Sequence, residues 1–116
     1  MSGIFRERNN LKTALEYVRR LIGEYKDIGL SDKGKSMNMK LYWVIELFGS
    51  LLISEALLAG ALAREESRGS FFREDFPIRD DKNWLKHTIV SYNSGNLTVN
   101  YKDVNMSLMK PEERTY

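Results

Sequence analysis

The run from Leu41 to Ala63, LYWVIELFGSLLISEALLAGALA, limits what this chain can fold into more than any other feature, because as a helix it is apolar on nearly every face. Its length suits a membrane span. Glu46 and Glu55 argue against one. They are nine residues apart and so fall on opposite sides of a helix. No single bundle interior hides both, and a charge at bilayer depth is costly. The favoured reading is a helix surrounded by protein on most sides. With Ser36 as a candidate N-cap and Gly69 as a candidate C-terminal cap, it would be roughly 45–50 Å long. A compact domain of this size has a radius of gyration of about 13 Å. The helix therefore overshoots unless it bends, with Gly49 or Gly60 as candidate bends.

The rest of the chain offers too little to cover it. NLKTALEYVRRLIGEYKDIGL places Leu11, Leu15, Val18, Leu21, Ile22 and Tyr25 at helical spacing, which predicts one amphipathic helix of about twenty residues ending near Gly29. Towards the C-terminus, Leu97, Val99 and Tyr101 alternate with Thr98, Asn100 and Lys102 behind the turn sequence NSGN, which predicts a β-hairpin. The expected fold is mainly α: a small bundle of two long helices plus a charged loop segment, with a C-terminal hairpin. One domain over 1–116 is expected, with a helical part at about 4–69, the charged segment at 64–86, the hairpin at about 87–104 and a tail at 105–116. The surplus apolar surface implies part of a larger assembly or one half of an oligomer, and self-association of the chain alone.

Most familiar chemistries are absent. The chain has no cysteine and a single histidine, His87. That removes disulfides, thiolate catalysis and any His-rich metal site. Its eight glycines make no GxGxxG. Eighteen basic against 16 acidic residues is too even a balance to make nucleic acid the default partner. The N-terminus MSGIFRERNN lacks the apolar core of a signal peptide.

The segment REESRGSFFREDFPIRDDKNWLKHT alternates charges of both signs with aromatics. Glu65 with Glu66, or Asp80 with Asp81, would serve as acid/base pairs only if something perturbed them. Adjacent surface acids are ordinarily solvated, and Asp81 reads as an N-cap before KNWL. His87 could shuttle protons, but a lone histidine at a strand start is ordinarily structural. Trp84, Phe71, Phe72 and Phe76 near arginines could stack on bases, were the neighbouring acids not repelling phosphates. The bland reading is a surface loop; the sharper one is a network of Arg–carboxylate pairs, partly buried, with aromatic anchors.

These same residues carry a resemblance. Glu66, Ser67, Arg68 and Gly69, then Arg73, Glu74, Asp75, Phe76, Pro77, Arg79, Asp80, Asp81, Asn83, Trp84, Leu85, Lys86, His87 and Thr88, match the pattern ESRGAHxREDxPxRDDxNWLKHT. That pattern belongs to the C-terminal region of the succinate dehydrogenase and fumarate reductase flavoprotein subunit. GIFR at the start, IELFGSLLISEALLAGALAREESRG and the ending PEERTY extend the resemblance over the whole chain. One departure is Ser70-Phe71, where the family has Ala-His. The alternatives are the same domain of a related flavoprotein, aspartate oxidase (where RDDKNWLKHT and RTY fit less well) or adenylylsulfate reductase, and a free-standing helical interaction module.

The resemblance implies a C-terminal helical domain with a structural role. It implies no catalytic, cofactor-binding or metal residue in this chain, no FAD bound by it, and no activity of the chain alone. FAD would sit in the parent subunit's own flavin domain. The parent would interconvert succinate and fumarate and pass electrons to an iron–sulfur subunit. It would be cytoplasmic, held at the inner face of a membrane by other subunits. Partners would be the FAD-binding and capping domains and the iron–sulfur subunit, with no nucleic acid and no direct membrane span. The charged segment then becomes a docking strip: Arg64, Glu66, Arg68, Arg73, Glu74, Asp75, Arg79, Asp80, Asp81, Trp84 and His87. In the chain alone these charges are expected to be solvated. Arg73→Ala or Arg79→Ala would then cost less than about 1 kcal/mol.

Overall fold

The periodicity of the first helix is realised as α1, Arg8–Glu24, which continues into a 3-10 turn at Tyr25–Asp27. Its apolar stripe buries Leu11, Ala14 and Leu15. The structure is a computed structural model, and it describes residues 3, 5–109 and 111–112. The matched ending RTY lies outside the described residues.

The long apolar run is α2, Met39–Ala63, shorter at both ends than the caps at Ser36 and Gly69 predict. At its start the Asn38 side chain accepts the Leu41 N–H at 3.0 Å, so Asn38 and not Ser36 is the N-cap. Met37, just before it, sits at φ 52, a left-handed conformation that no helix continues through. At the other end the backbone turns extended at Arg64. Arg68 is therefore not in a helical turn. Gly69 uses its positive φ of 58 in a tight reversal, where Arg68 and Phe71 exchange backbone hydrogen bonds of 2.8 and 3.0 Å.

Two short elements follow: β2 at Phe72–Arg73 and α3 at Asp81–Trp84. Asp80, not Asp81, caps α3, accepting the Asn83 N–H at 3.1 Å. β2 pairs in parallel with β1, Phe5–Arg6, in the register Phe5 to Phe72 and Arg6 to Arg73. Two-residue strands leave no alternation to read, so this pairing has no sequence signal.

The hairpin is as the pattern predicts, β3 at Lys86–Asn93 and β4 at Asn96–Asp103, antiparallel with Asn93 opposite Asn96. Ser94 and Gly95 both take positive φ, 51 and 82, the requirement of a tight two-residue turn.

Leu11, Ala14 and Leu15 of α1 pack with Leu58 and Ala59 of α2, flanked by Val18, Leu62, Leu97 and Val99. Each buried leucine contributes about 1.5–3 kcal/mol. Gly60 lets the hairpin lie against α2. A Cβ there would stand 3.3 Å from Val90 Cγ2, so an added side chain would require Val90 to give way.

The two halves of α2 differ. Leu51, Glu55, Leu58 and Ala59 are buried, whereas Leu41, Tyr42, Trp43, Ile45, Leu47 and Phe48 are exposed. On that exposed half, Tyr25 stacks on Phe48 at 4.8 Å and donates its hydroxyl to Val44 O at 3.0 Å. The helix is long and apolar enough to cross a membrane by length and composition, a test that the core helix of a soluble protein also passes. One face of its C-terminal half packs against this chain's own α1 and hairpin, while Ile53 and Leu57 on the other stay exposed. The radius of gyration, 18.4 Å, exceeds the roughly 13 Å of a compact chain of this size. The excess reflects a long helix left partly uncovered.

Candidate functional site: a buried arginine–carboxylate lattice

Where α2 ends, the charged segment folds back on itself. Glu66 and Arg73, expected to be solvated, have no solvent exposure at all. That expectation is corrected here. A pattern of alternating charge cannot reveal which pairs the backbone closes over.

Glu66 is the centre of one cluster. Its carboxylate accepts from Arg68 Nε at 2.8 Å and Nη2 at 3.0 Å, from the Asp80 N–H at 3.0 Å, and from Arg64 Nη1. Arg68 Nη2 also reaches Asp81 at 2.6 Å, and Arg79 forks onto Asp81 at 2.8 and 2.6 Å. Arg64 further donates to the carbonyls of Trp84 and Lys86, fixing the start of the hairpin to the end of α2. Trp84 lies under the Arg64 and Lys86 cations at 5.5 and 4.7 Å and meets Tyr101 edge-on.

Arg73 is the centre of the second cluster. Nε and Nη2 fork onto Asp75 at 2.7 and 2.6 Å. Nη1 donates to Ala61 O at 2.8 Å and Arg64 O at 2.9 Å. One guanidinium thus satisfies carbonyls that the end of α2 leaves without partners, at the negative end of the helix dipole. Ser67 ties the loop, accepting the Arg73 N–H at 2.8 Å and donating to Phe76 O at 2.8 Å.

The electrostatics follow. Burial pushes the Glu66 carboxyl up, but hydrogen bonds from Arg68, the Asp80 amide and Arg64 outweigh it and hold the group below its ordinary value. The forks of Arg79 and then Arg68 bring Asp81 down to about 2. The Arg73 fork lowers Asp75, and Asn83 lowers Asp80. These carboxylates hold no proton near neutral pH, so they are unsuited to general-acid work.

Of the strip, Arg64, Glu66, Arg68, Arg79, Asp80, Asp81 and Trp84 form one continuous group, and Arg73 with Asp75 the other. Glu74 is exposed, and its N–H donates to Arg6 O at 2.8 Å. His87 is exposed on β3 and stands outside both clusters. The sequence reading missed three contributors. Arg8 bonds Glu65 and, through its amide, Asp75. Ser67 is the second. The third is a separate buried acid: Glu55 takes Arg19 Nε at 2.8 Å and the Tyr92 hydroxyl. Burial first, and Glu55 second, push Tyr92 up to about 12. The only signal for this group was an acid amid apolar residues.

Comparison with known proteins agrees with this architecture. The family described as fumarate reductase flavoprotein C-term matches residues 1–116. The fumarate reductase flavoprotein subunit of Mycobacterium tuberculosis is 39% identical over 99% of this chain and 20% of its own length. The succinate dehydrogenase flavoprotein subunit of Rickettsia bellii is 34% identical over 96% of this chain and 19% of its own. A solved E. coli quinol fumarate reductase superposes with a TM-score of 0.93 at 32% identity, over 98% of this chain and 20% of that one. The chain thus spans about a fifth of the length of these relatives. It belongs to the C-terminal domain family of the fumarate reductase and succinate dehydrogenase flavoprotein subunits.

Proposed function

We propose that this domain braces the flavin-bearing part of an oxidoreductase subunit that interconverts succinate and fumarate. FAD would be held by the preceding domains and electrons passed to an iron–sulfur subunit. The observation that carries this is the whole-chain family match over only a fifth of each relative's length. The exposed first half of α2 supports it, since Trp43, at 62% exposure, and its apolar neighbours form the kind of surface that another domain covers. The solvent-facing members of the charged strip, among them Glu74 and His87, would border that contact. The complex would lie on the cytoplasmic side of a membrane, attached through other subunits. Relatives named as fumarate reductase and succinate dehydrogenase subunits favour this reading over aspartate oxidase or adenylylsulfate reductase.

The test is to isolate, from its source, the polypeptide that carries this domain, and to compare it with the 116-residue chain. The polypeptide should carry flavin and reduce a dye with succinate, and the chain alone should do neither. Flavin retained stoichiometrically by the chain alone would overturn the assignment, as would a source polypeptide without flavin.

With α2 uncovered, the chain alone should also associate with itself. Sedimentation across a concentration series should show mass rising above the monomer. Trp43→Glu with Ile45→Lys should restore the monomer without loss of helix, because neither residue packs in this chain's core. A strictly monomeric wild-type chain would remove the case for a covering partner.

A further inference from the structure

Between α2, the Arg68–Phe71 reversal and β3 lies an open cavity of about 420 Å³. Its walls include Arg6, Arg64, Arg68, Phe71, Gly60 and Thr88, and among the described residues no carboxylate lines it. Arg64 and Arg68 already have Glu66. Arg6 differs. Its guanidinium lies over the Phe71 ring at 4.9 Å, and its Nη1 is out of contact with solvent with no hydrogen-bond partner among the described residues. Thr88 Oγ1 is buried and unpartnered in the same way. Two orphaned polar groups on the walls of one cavity are uncommon, because buried donors ordinarily find acceptors.

We propose that this cavity receives a carboxylate side chain from the part of the same subunit that lies outside these residues, with the Arg6 guanidinium as its receptor. The inference rests on the docking reading above and gives it a specific contact. Charge complementarity selects an acid, since three guanidiniums line the site. Position selects a side chain and not a free dicarboxylate. The cavity includes Leu57, 68% exposed, with Ile53 one turn before it at 63%. A protein surface that covers those two residues carries its acid into the cavity and removes water from the pair, where the fork strengthens. A free dicarboxylate would leave both exposed. Phe71 fits this arrangement: its ring supports the Arg6 cation, where an ionisable imidazole would compete with it.

The experiment uses the flavin-loaded subunit. In the Arg6→Lys variant, the introduced amine keeps the charge and can be coupled by a carbodiimide to a carboxylate in contact with it. Mass spectrometry should find position 6 joined to an Asp or Glu outside residues 1–116. In Arg6→Gln, amide exchange at residues 57–61 should quicken by about tenfold or more relative to wild type, as for removal of one partner of a buried charge pair. Coupling of position 6 only to carboxylates within residues 1–116, no coupling, or unchanged exchange would overturn the proposal. So would protection of residues 57–61 by added succinate without any such cross-link, which marks a small-molecule site. If the source polypeptide proves to hold no flavin, the functional reading itself fails, a result separate from all of these.

Discussion

Replacing Arg73 by alanine should lower the stability of this chain by about 3–5 kcal/mol, the range for breaking a buried ion pair from one side. The side chain has no exposure. Its removal takes both forks from Asp75 and the donor from the carbonyls of Ala61 and Arg64. It also takes the cation from above Phe76, 5.1 Å away, and leaves a void. Lysine should not rescue the loss, because a single ammonium cannot fork onto Asp75 and reach two carbonyls at once. Arg79→Ala is the control. Its pair with Asp81 is 24% and 39% exposed, and the loss should stay near or below about 1 kcal/mol. Urea unfolding of the two variants decides the matter, and equal midpoints would show that the Arg73 guanidinium is not holding the end of α2.

Glu66→Ala should be similarly damaging, about 3–5 kcal/mol, because it empties the buried centre between Arg64 and Arg68, leaves Arg64 without a carboxylate and orphans the Asp80 amide. Glu66→Gln should fall between, since an amide oxygen accepts one of those bonds. The same carboxylates set the acid limit. Glu66 lies below 4.5 in the folded chain, and Asp81 at about 2 against an ordinary 3.8. A depressed carboxyl stabilises the fold fully above its unfolded value, and the contribution is lost as pH falls through the folded one. Wild-type stability should therefore hold from neutral pH to about 4.5 and fall steadily towards 2. Glu66→Gln should be less stable at neutral pH and flatter through that window. An urea midpoint for wild type that stays constant from pH 5 to about 3 would contradict the lattice.

Part of this was legible beforehand, and the division has a physical cause. α1 and the hairpin declare themselves because their periods, 3.6 and 2, are local properties. The ends of α2 were misplaced because caps compete: Ser36 and Asn38 are both good N-caps, and Met37's left-handed backbone decides between them. The charged segment identified the family, because its residues are recognisable in order. Its interior character was illegible, because Glu66 and Glu65 are the same letter side by side, one without exposure and the other bonded to Arg8 near the surface. The β1–β2 pairing and the Arg6 cavity depend on residues 5–6 meeting 71–73, a contact between distant parts of the chain that no local pattern encodes.

The uneven burial of α2 places one continuous helix under two kinds of selection. At Leu51, Glu55, Leu58 and Ala59 the acceptable residues are set by neighbours within this chain, Arg19 and Tyr92 among them for Glu55. From Leu41 to Phe48 almost nothing among the described residues constrains the choice beyond helix propensity and the contacts from Tyr25. Substitutions there should be nearly silent when the domain is made alone and consequential in the assembled subunit. Across related sequences, Leu41 to Phe48, with Ile53 and Leu57, should covary with positions outside these 116 residues, and Leu51, Glu55, Leu58 and Ala59 with positions inside them. Beyond Leu51 the two sets would divide the helix by face, the domain's own fold on one side and its fit to a neighbour on the other.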